Sequence, residues 1–260
     1  MLPLKKAFDL TPRQEEVVVS STVLSALIFS LVGGSINSIH GRRVAILFAA
    51  SVFTLGSVLL AYAWDYRTVV LGRLVVGAGI GVASLTTPIY IAEVAVPSMR
   101  GRLVTVNALL CVVGQFVAGM VDGIFDALGG EDGWRYMLGL AALPSALMLL
   151  GFLNLPESPR WLVATGRTRE AAAVLRSVRD SDQEANDELF EIVDAYAAEM
   201  ESHRVEEEEE EGGASAASEP RFFKRVRSMI RHAPTGRALS LGRTRSWSGR
   251  RKRRALGGIG

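Results

Sequence analysis

A single cysteine, Cys111, stands in this 260-residue chain, which excludes an intrachain disulfide and the stapled architecture of small secreted domains. Lying in an apolar run, Cys111 reads as a buried small residue with no chemical role. Charge is scarce over most of the length: residues 17–163 hold 15 charged side chains in 147 positions, against 41 in the other 113. A soluble globule needs charge over its whole surface, and a segment so poor in it would expose far too much apolar area in water. One soluble globular domain is therefore excluded. Also missing are the Cys/His spacings of a metal site, a phosphate-binding loop and a hydrolase nucleophile motif. No metal, no cofactor, no enzymatic reaction and no nucleic-acid partner are expected. His40, His203 and His232 are isolated and read as solvent-facing. Met1–Glu16, with Lys5, Lys6 and Arg13, lacks a signal-peptide pattern.

What the chain does have is division into blocks. The net charge of +2 sums opposite contributions: residues 164–220 carry 17 acids and 5 bases, and residues 221–260 carry 13 bases and no acid. Five stretches have the roughly 20 apolar residues that a helix needs to cross a bilayer: Val17–Asn37, Val44–Trp64, Val69–Ala92, Leu103–Gly123 and Met137–Leu155. Their connections are short, which predicts a helical bundle with antiparallel neighbours. The loops with Arg42 and Arg43, with Arg100 and Arg102, and the segment with Arg160, Arg167 and Arg169 alternate with loops holding only Arg67 or Arg135. By the positive-inside rule the richer loops are cytosolic. Five spans then place the start of the chain outside, so a preceding span is expected to be missing. Gly77 with Gly81, and Gly119 with Gly123, have the spacing that lets membrane helices approach closely.

Polar residues inside these spans are costly in hydrocarbon. Arg73 lies four positions inside its span and needs a polar interior and a partner, unless it snorkels to the interface. Gln115 sits near the middle of its span with an amide donor and an acceptor to satisfy. Asn107 reads as a helix-to-helix hydrogen bond, and Asp122 as part of a wetted vestibule.

Four ordered motifs carry a resemblance. Gly34–Arg43 resembles the loop signature of the major facilitator superfamily. Gly72-Arg73 with Gly77, Gly79 and Gly81, followed by Pro88–Arg102, is similar to the sugar porter signature, and Gly133-Trp134-Arg135 and Pro156–Leu162 match two further motifs of that family in order. One position departs: where the loop motif carries aspartate this chain has Ser38, beside Asn37. Within the family, the runs around Asp122 and Trp134 and the poly-Glu segment are most similar to the proton/myo-inositol cotransporter branch.

The resemblance implies an all-α membrane protein with a partial major facilitator fold: about five transmembrane helices, the family's second to sixth, plus cytosolic amphipathic helices. It implies secondary active transport of a polyol or sugar, as proton-coupled myo-inositol symport by alternating access. The alternatives are a facilitative hexose transporter, or a truncated membrane protein that does not transport and binds a full-length partner. Gln115 would bind substrate, the alternative being a helix-to-helix hydrogen bond. Arg73 would couple the proton through an aspartate on the absent first helix. Arg42, Arg43, Glu93, Arg100, Arg102, Glu157 and Arg160 would pair across helix ends as a cytosolic gate, the alternative for Arg42 and Arg43 being topology alone. A complete path would need membrane lipid around it and the missing C-terminal half, and the plasma membrane is favoured over an internal one.

The expected organisation is an outer segment at 1–16, the bundle at 17–163, cytosolic loop helices at 164–205, an acidic low-complexity linker at 206–220 and a basic tail at 221–260, aberrant from 243. Thr168 and Ser181 read as helix caps, the second with Glu184 in a capping box. Ala171, Val174, Leu175 and Val178, then Leu189, Ile192, Val193, Tyr196 and Met200, form two apolar stripes. The linker has too little apolar content to fold. For the tail, an artefact of the sequence is weighed against binding of anionic lipid or nuclear import.

Overall fold

A computed structural model describes Phe8 and residues 10–128, 133–179 and 181–210. The rest of the expected outer segment, Glu211 with the linker beyond it and the whole basic tail lie outside the described residues. The described residues form nine helices: α1 (Pro12–His40), α2 (Arg42–Ala61), α3 (Tyr66–Val94), α4 (Arg100–Leu128), α5 (Gly133–Leu140), α6 (Ala142–Leu153), α7 (Pro159–Ala164), α8 (Thr168–Val178) and α9 (Asp182–Glu210). Among the described residues five segments are long and apolar enough to cross a membrane: α1 to α3, Arg100–Phe125 of α4, and Gly133–Leu153, which joins α5 and α6.

Local chemistry sets the helix ends. Pro12 opens α1 behind Thr11, whose backbone N–H donates to the Gln14 side chain at 2.9 Å. Asp65 precedes α3 and accepts from the Tyr66 N–H at 2.8 Å. The fifth span is broken at Ala141 because Pro144 has no N–H to give the Leu140 carbonyl and its ring crowds that oxygen. Thr168 is not a cap: Arg167 holds that position and Thr168 is the first helical residue. Ser181 does cap α9, its hydroxyl accepting from the Glu184 N–H at 3.1 Å. No glycine or proline interrupts α9, which continues through Glu210, past the boundary expected at residue 205.

α3 is the centre of the bundle, with α1 on one side and α2 on the other, and α5 and α6 pack on α2. The α1–α3 pairs run Thr22 with Gly77, Ala26 with Gly81, and Asn37 with Thr86, so these helices are parallel. The consecutive pair α2–α3 is antiparallel as expected, Leu60 meeting Gly72 and Ala49 meeting Gly79, so α3 carries a parallel and an antiparallel neighbour. The glycines of α3 explain the arrangement. Gly77 and Gly81 face the Thr22 and Ala26 carbonyls of α1, while a Cβ on Gly79 would stand 2.8 Å from the Ala49 carbonyl of α2. One helix thus lets two backbones approach it. Gly119 and Gly123 have the same spacing, but among the described residues no other helix comes within 4 Å of where a Cβ would stand. They lie on α4, which touches α3 and α5 sparsely and exposes most of its length, Cys111 included. The expectation of a buried cysteine is corrected accordingly.

A core of Leu10, Val18, Leu60, Ala63, Val69, Val76 and Trp134 closes the end of the bundle opposite the arginine-rich loops. Phe8 meets Trp134 edge-on with ring centroids 5.4 Å apart, and the Arg135 guanidinium lies 4.5 Å over the same ring. Beyond the bundle, Ala171, Leu175, Ala185, Leu189 and Val193 are buried along α8 and α9, whereas Met200 is exposed. The exposed Glu170 carboxylate, hydrogen-bonded by Arg167, is held below its usual range.

Candidate functional site

The arginine-rich end of the bundle concentrates the charged residues singled out above, and it is built from helix ends. α1 and α2 are joined by Gly41 alone, at φ +94°, a conformation that favours glycine. A side chain there would also strike Glu157, whose Oε2 is 2.5 Å and Cδ 2.8 Å from the place of a Cβ. α2 has no capping side chain of its own. Glu157 supplies the cap from 115 residues away: its Oε1 accepts from the backbone N–H of Arg42 at 2.9 Å and of Arg43 at 3.0 Å. The same oxygen accepts from the Ser158 N–H at 2.9 Å. A carboxylate suits the positive end of a helix dipole and its orphan donors.

Arg43 acts in the reciprocal way on α6. Its guanidinium donates to the last carbonyls of that helix, Nε to Phe152 O at 3.1 Å and Nη2 to Leu153 O at 2.6 Å. These contacts correct the expected pairing of arginine with carboxylate side chains at Arg43 and Glu157. The two charged groups bind backbone termini, and together they clamp α2 to α6.

Arg42 and Glu93 do pair. The Arg42 Nη2 donates to Glu93 Oε1 at 3.0 Å, and its Nε lies 2.9 Å from Oε2. The side chains retain only 19% and 9% exposure, so each charge depends on the other. Arg42 Nη1 also donates to the Asn37 carbonyl at the end of α1, at 3.1 Å. Ser158 Oγ donates to Glu93 Oε2 at 2.5 Å, which joins the pair to the Glu157 cap. Around this network, Tyr90 Oη donates to Pro156 O at 2.8 Å and Trp161 Nε1 to Ser38 O at 2.9 Å. Ser158, Tyr90 and Trp161 were not anticipated as members. Ser158 was the most legible, since Ser-Pro opening a helix is a capping signal, and its hydroxyl accepts from the Trp161 N–H.

Three residues expected in the same set stand apart. Arg100 is 44% exposed and lies 3.8 Å from Glu188, on α9. Arg102 and Arg160 are exposed, and among the described residues no hydrogen bond or ion pair holds either.

The two polar positions expected deeper in the bundle are both found on spans. Arg73 is partly buried, and its buried Nε has no hydrogen-bond partner among the described residues. Asp122, on α4, is the acid to compare with it in depth. The depths agree: Arg73 follows the start of α3 by seven residues and Asp122 precedes the end of α4 by six, about 10 Å of helix in each case. Asp122, expected to line a vestibule, thus lies at about the same depth as Arg73. Gln115 lies seven residues before Asp122, two turns along roughly the same face of α4, and is exposed. The structure does not join Gln115 to the arginine-rich end.

Comparison with known proteins fits this architecture. The family model described as "Sugar (and other) transporter" matches residues 6–236. A human protein named proton myo-inositol cotransporter is 53% identical over 179 residues, covering 69% of this chain and 28% of that protein. The arabinose-proton symporter of Escherichia coli strain K12 is 39% identical over 185 residues, covering 71% of this chain and 39% of its own length. This chain therefore spans well under half of these relatives. Among solved structures, the xylose transporter XylE from E. coli, in a partially occluded inward open conformation, is similar with a TM-score of 0.67 and 27% identity. That match covers 73% of this chain and 52% of the solved one.

Proposed function

Because this chain belongs to the sugar transporter family, whose members are multi-pass membrane carriers and not enzymes, we propose that it serves proton-coupled symport of myo-inositol by alternating access. The observation that carries this reading is the network by which Arg42, Glu93, Ser158 and Glu157 hold the ends of α1 and α2 while Arg43 holds the end of α6. It is a charge-paired closure at one mouth of a helical bundle, of the kind that two rigid arrangements can make and break. With the arginine-rich end inside, it is the inner gate in the plasma membrane. The substrate class follows the human relative's name and the chemistry of Gln115, whose amide can donate to one ring hydroxyl and accept from another. The substrate site is shared with a second helical half, which the longer relatives have the length to supply.

Arg73 carries the proton coupling in this proposal. A buried guanidinium nitrogen with no hydrogen-bond acceptor favours an ionised carboxylate nearby, and protonating that acid would loosen its hold. The test replaces the matching segment of the human cotransporter by residues 17–200 of this chain and measures uptake of labelled myo-inositol with and without an inward proton gradient. Gradient-driven uptake is expected, and Arg73→Leu should lower it by at least about five-fold, the lower range of a coupling free energy. Undiminished dependence on the gradient in Arg73→Leu would remove the coupling role. Uptake of hexose in place of inositol would overturn the substrate.

A further inference from the structure

One buried charged group outside the bundle takes no part in the network described so far. Arg179 follows α8, in a segment of acidic and basic residues that reads as solvated, yet its side chain is only 2% exposed. Every guanidinium nitrogen is engaged. Nε donates to Glu188 Oε2 at 2.5 Å and Nη2 to Glu188 Oε1 at 2.9 Å. Nη1 donates to the Val94 carbonyl at 3.1 Å and Nη2 to the Ala95 carbonyl at 3.4 Å. Those carbonyls end α3, a helix with no basic residue in its own last turn. They also belong to the two residues that directly follow Glu93.

We propose that Arg179 is a positioning residue of the inner gate, holding the last turn of α3, and with it the Glu93 carboxylate, by donating to the Val94 and Ala95 carbonyls. A cation at a helix C-terminus satisfies orphan acceptors and opposes the negative end of the dipole. Only arginine has the planar fork to do this while gripping a carboxylate with its other edge. Glu188 orients the fork, and its Oε1, 3.8 Å from Arg100 Nη2, also reaches the first residue of α4. The loop helices thus fix the junction between α3 and α4, and Arg42 meets a Glu93 that cannot drift. The inference rests on the reading of Arg42 and Glu93 as a gate.

The test follows hydrogen exchange of the full chain in lipid nanodiscs, in three stretches. Residues 95–103 report the α3–α4 junction, residues 41–46 report the gate amides held by Glu157, and residues 20–30 within α1 serve as reference. Arg179→Ala should speed exchange about ten-fold or more in both of the first two stretches, the loss of a charge-assisted hydrogen bond, and leave the third unchanged. Arg179→Lys should recover part of the protection and serves as the measured variant if the alanine form does not fold. The exchanged pair Arg179→Glu with Glu188→Arg restores the ion pair but sets a carboxylate against the carbonyls, so it should remain as unprotected as Arg179→Ala. Full recovery in the exchanged pair would overturn the proposal, because pairing with Glu188 would then be all that Arg179 does. Faster exchange at 95–103 with 41–46 unchanged would also overturn it, unless Glu93→Gln leaves 41–46 unchanged too. In that last case the gate reading itself fails and takes the inference with it.

Discussion

Glu157→Ala is expected to cost about 3 kcal/mol or more, because it strips a charged acceptor from three backbone donors at once. The N–H groups of Arg42, Arg43 and Ser158 all converge on one carboxylate oxygen, and α2 has no capping side chain to take its place. Gly41, which precedes α2, is held beside that carboxylate at a positive φ, so the turn cannot close around the gap without leaving the conformation that joins α1 to α2. Glu157→Gln keeps one carbonyl acceptor and loses the charge that favours a helix N-terminus, so its cost should be smaller, about 1 kcal/mol. Unfolding in mixed micelles titrated with denaturing detergent would measure both. An alanine variant within about 0.5 kcal/mol of the parent chain, the range of an ordinary surface substitution, would show that water replaces the cap and that Glu157 is not structural.

Much of the fold was legible in the sequence because a bilayer imposes a length and an apolar content that few soluble segments share. All five expected spans are present, and their ends differ mainly where helix continues past the apolar core, as α1 does from Pro12 to His40. What hydropathy does not carry is the choice of partner. Gly77 with Gly81 and Gly119 with Gly123 are indistinguishable by spacing, yet only the first pair meets another backbone. Spacing creates a groove without saying whether a neighbour fills it. The charged end was half legible for a related reason. Charges of opposite sign near helix ends suggest side-chain pairs, and Arg42 with Glu93 is one. Helix ends, however, are themselves charged partners, and the sequence alone does not tell which terminus an arginine or glutamate will find. Arg43 found the last carbonyls of α6, Glu157 the first amides of α2, and Arg179 the carbonyls of α3, across 109, 115 and 85 residues.

Gly81→Leu should separate α1 from α3 at a cost of about 3 kcal/mol or more, at the upper end of overpacking because the obstruction is backbone. A Cβ at residue 81 would meet the Ala26 carbonyl and stand 2.9 Å from the Ser30 nitrogen, neither of which can swing aside as a side-chain tip could. The helices cannot simply part and reseal with the new side chain between them. Ser25 Oγ donates to the Leu74 carbonyl at 2.6 Å and Thr86 Oγ1 to Asn37 Oδ1 at 3.1 Å, one contact on each side of residue 81, so any displacement of α1 stretches both. Hydrocarbon offers no hydrophobic pull to close the gap, since lipid tails are as apolar as leucine. The far end of α1 carries the disturbance to the gate, because Arg42 donates to the Asn37 carbonyl while gripping Glu93. Gly119→Leu is the matched control, with an identical change of side chain at a position where no other helix among the described residues comes within 4 Å. The two variants should therefore differ by nearly the whole cost in the same detergent titration, with Gly119→Leu close to the parent chain. Equal stability of the two would mean that α3 does not owe its central place to the missing side chains of its glycines.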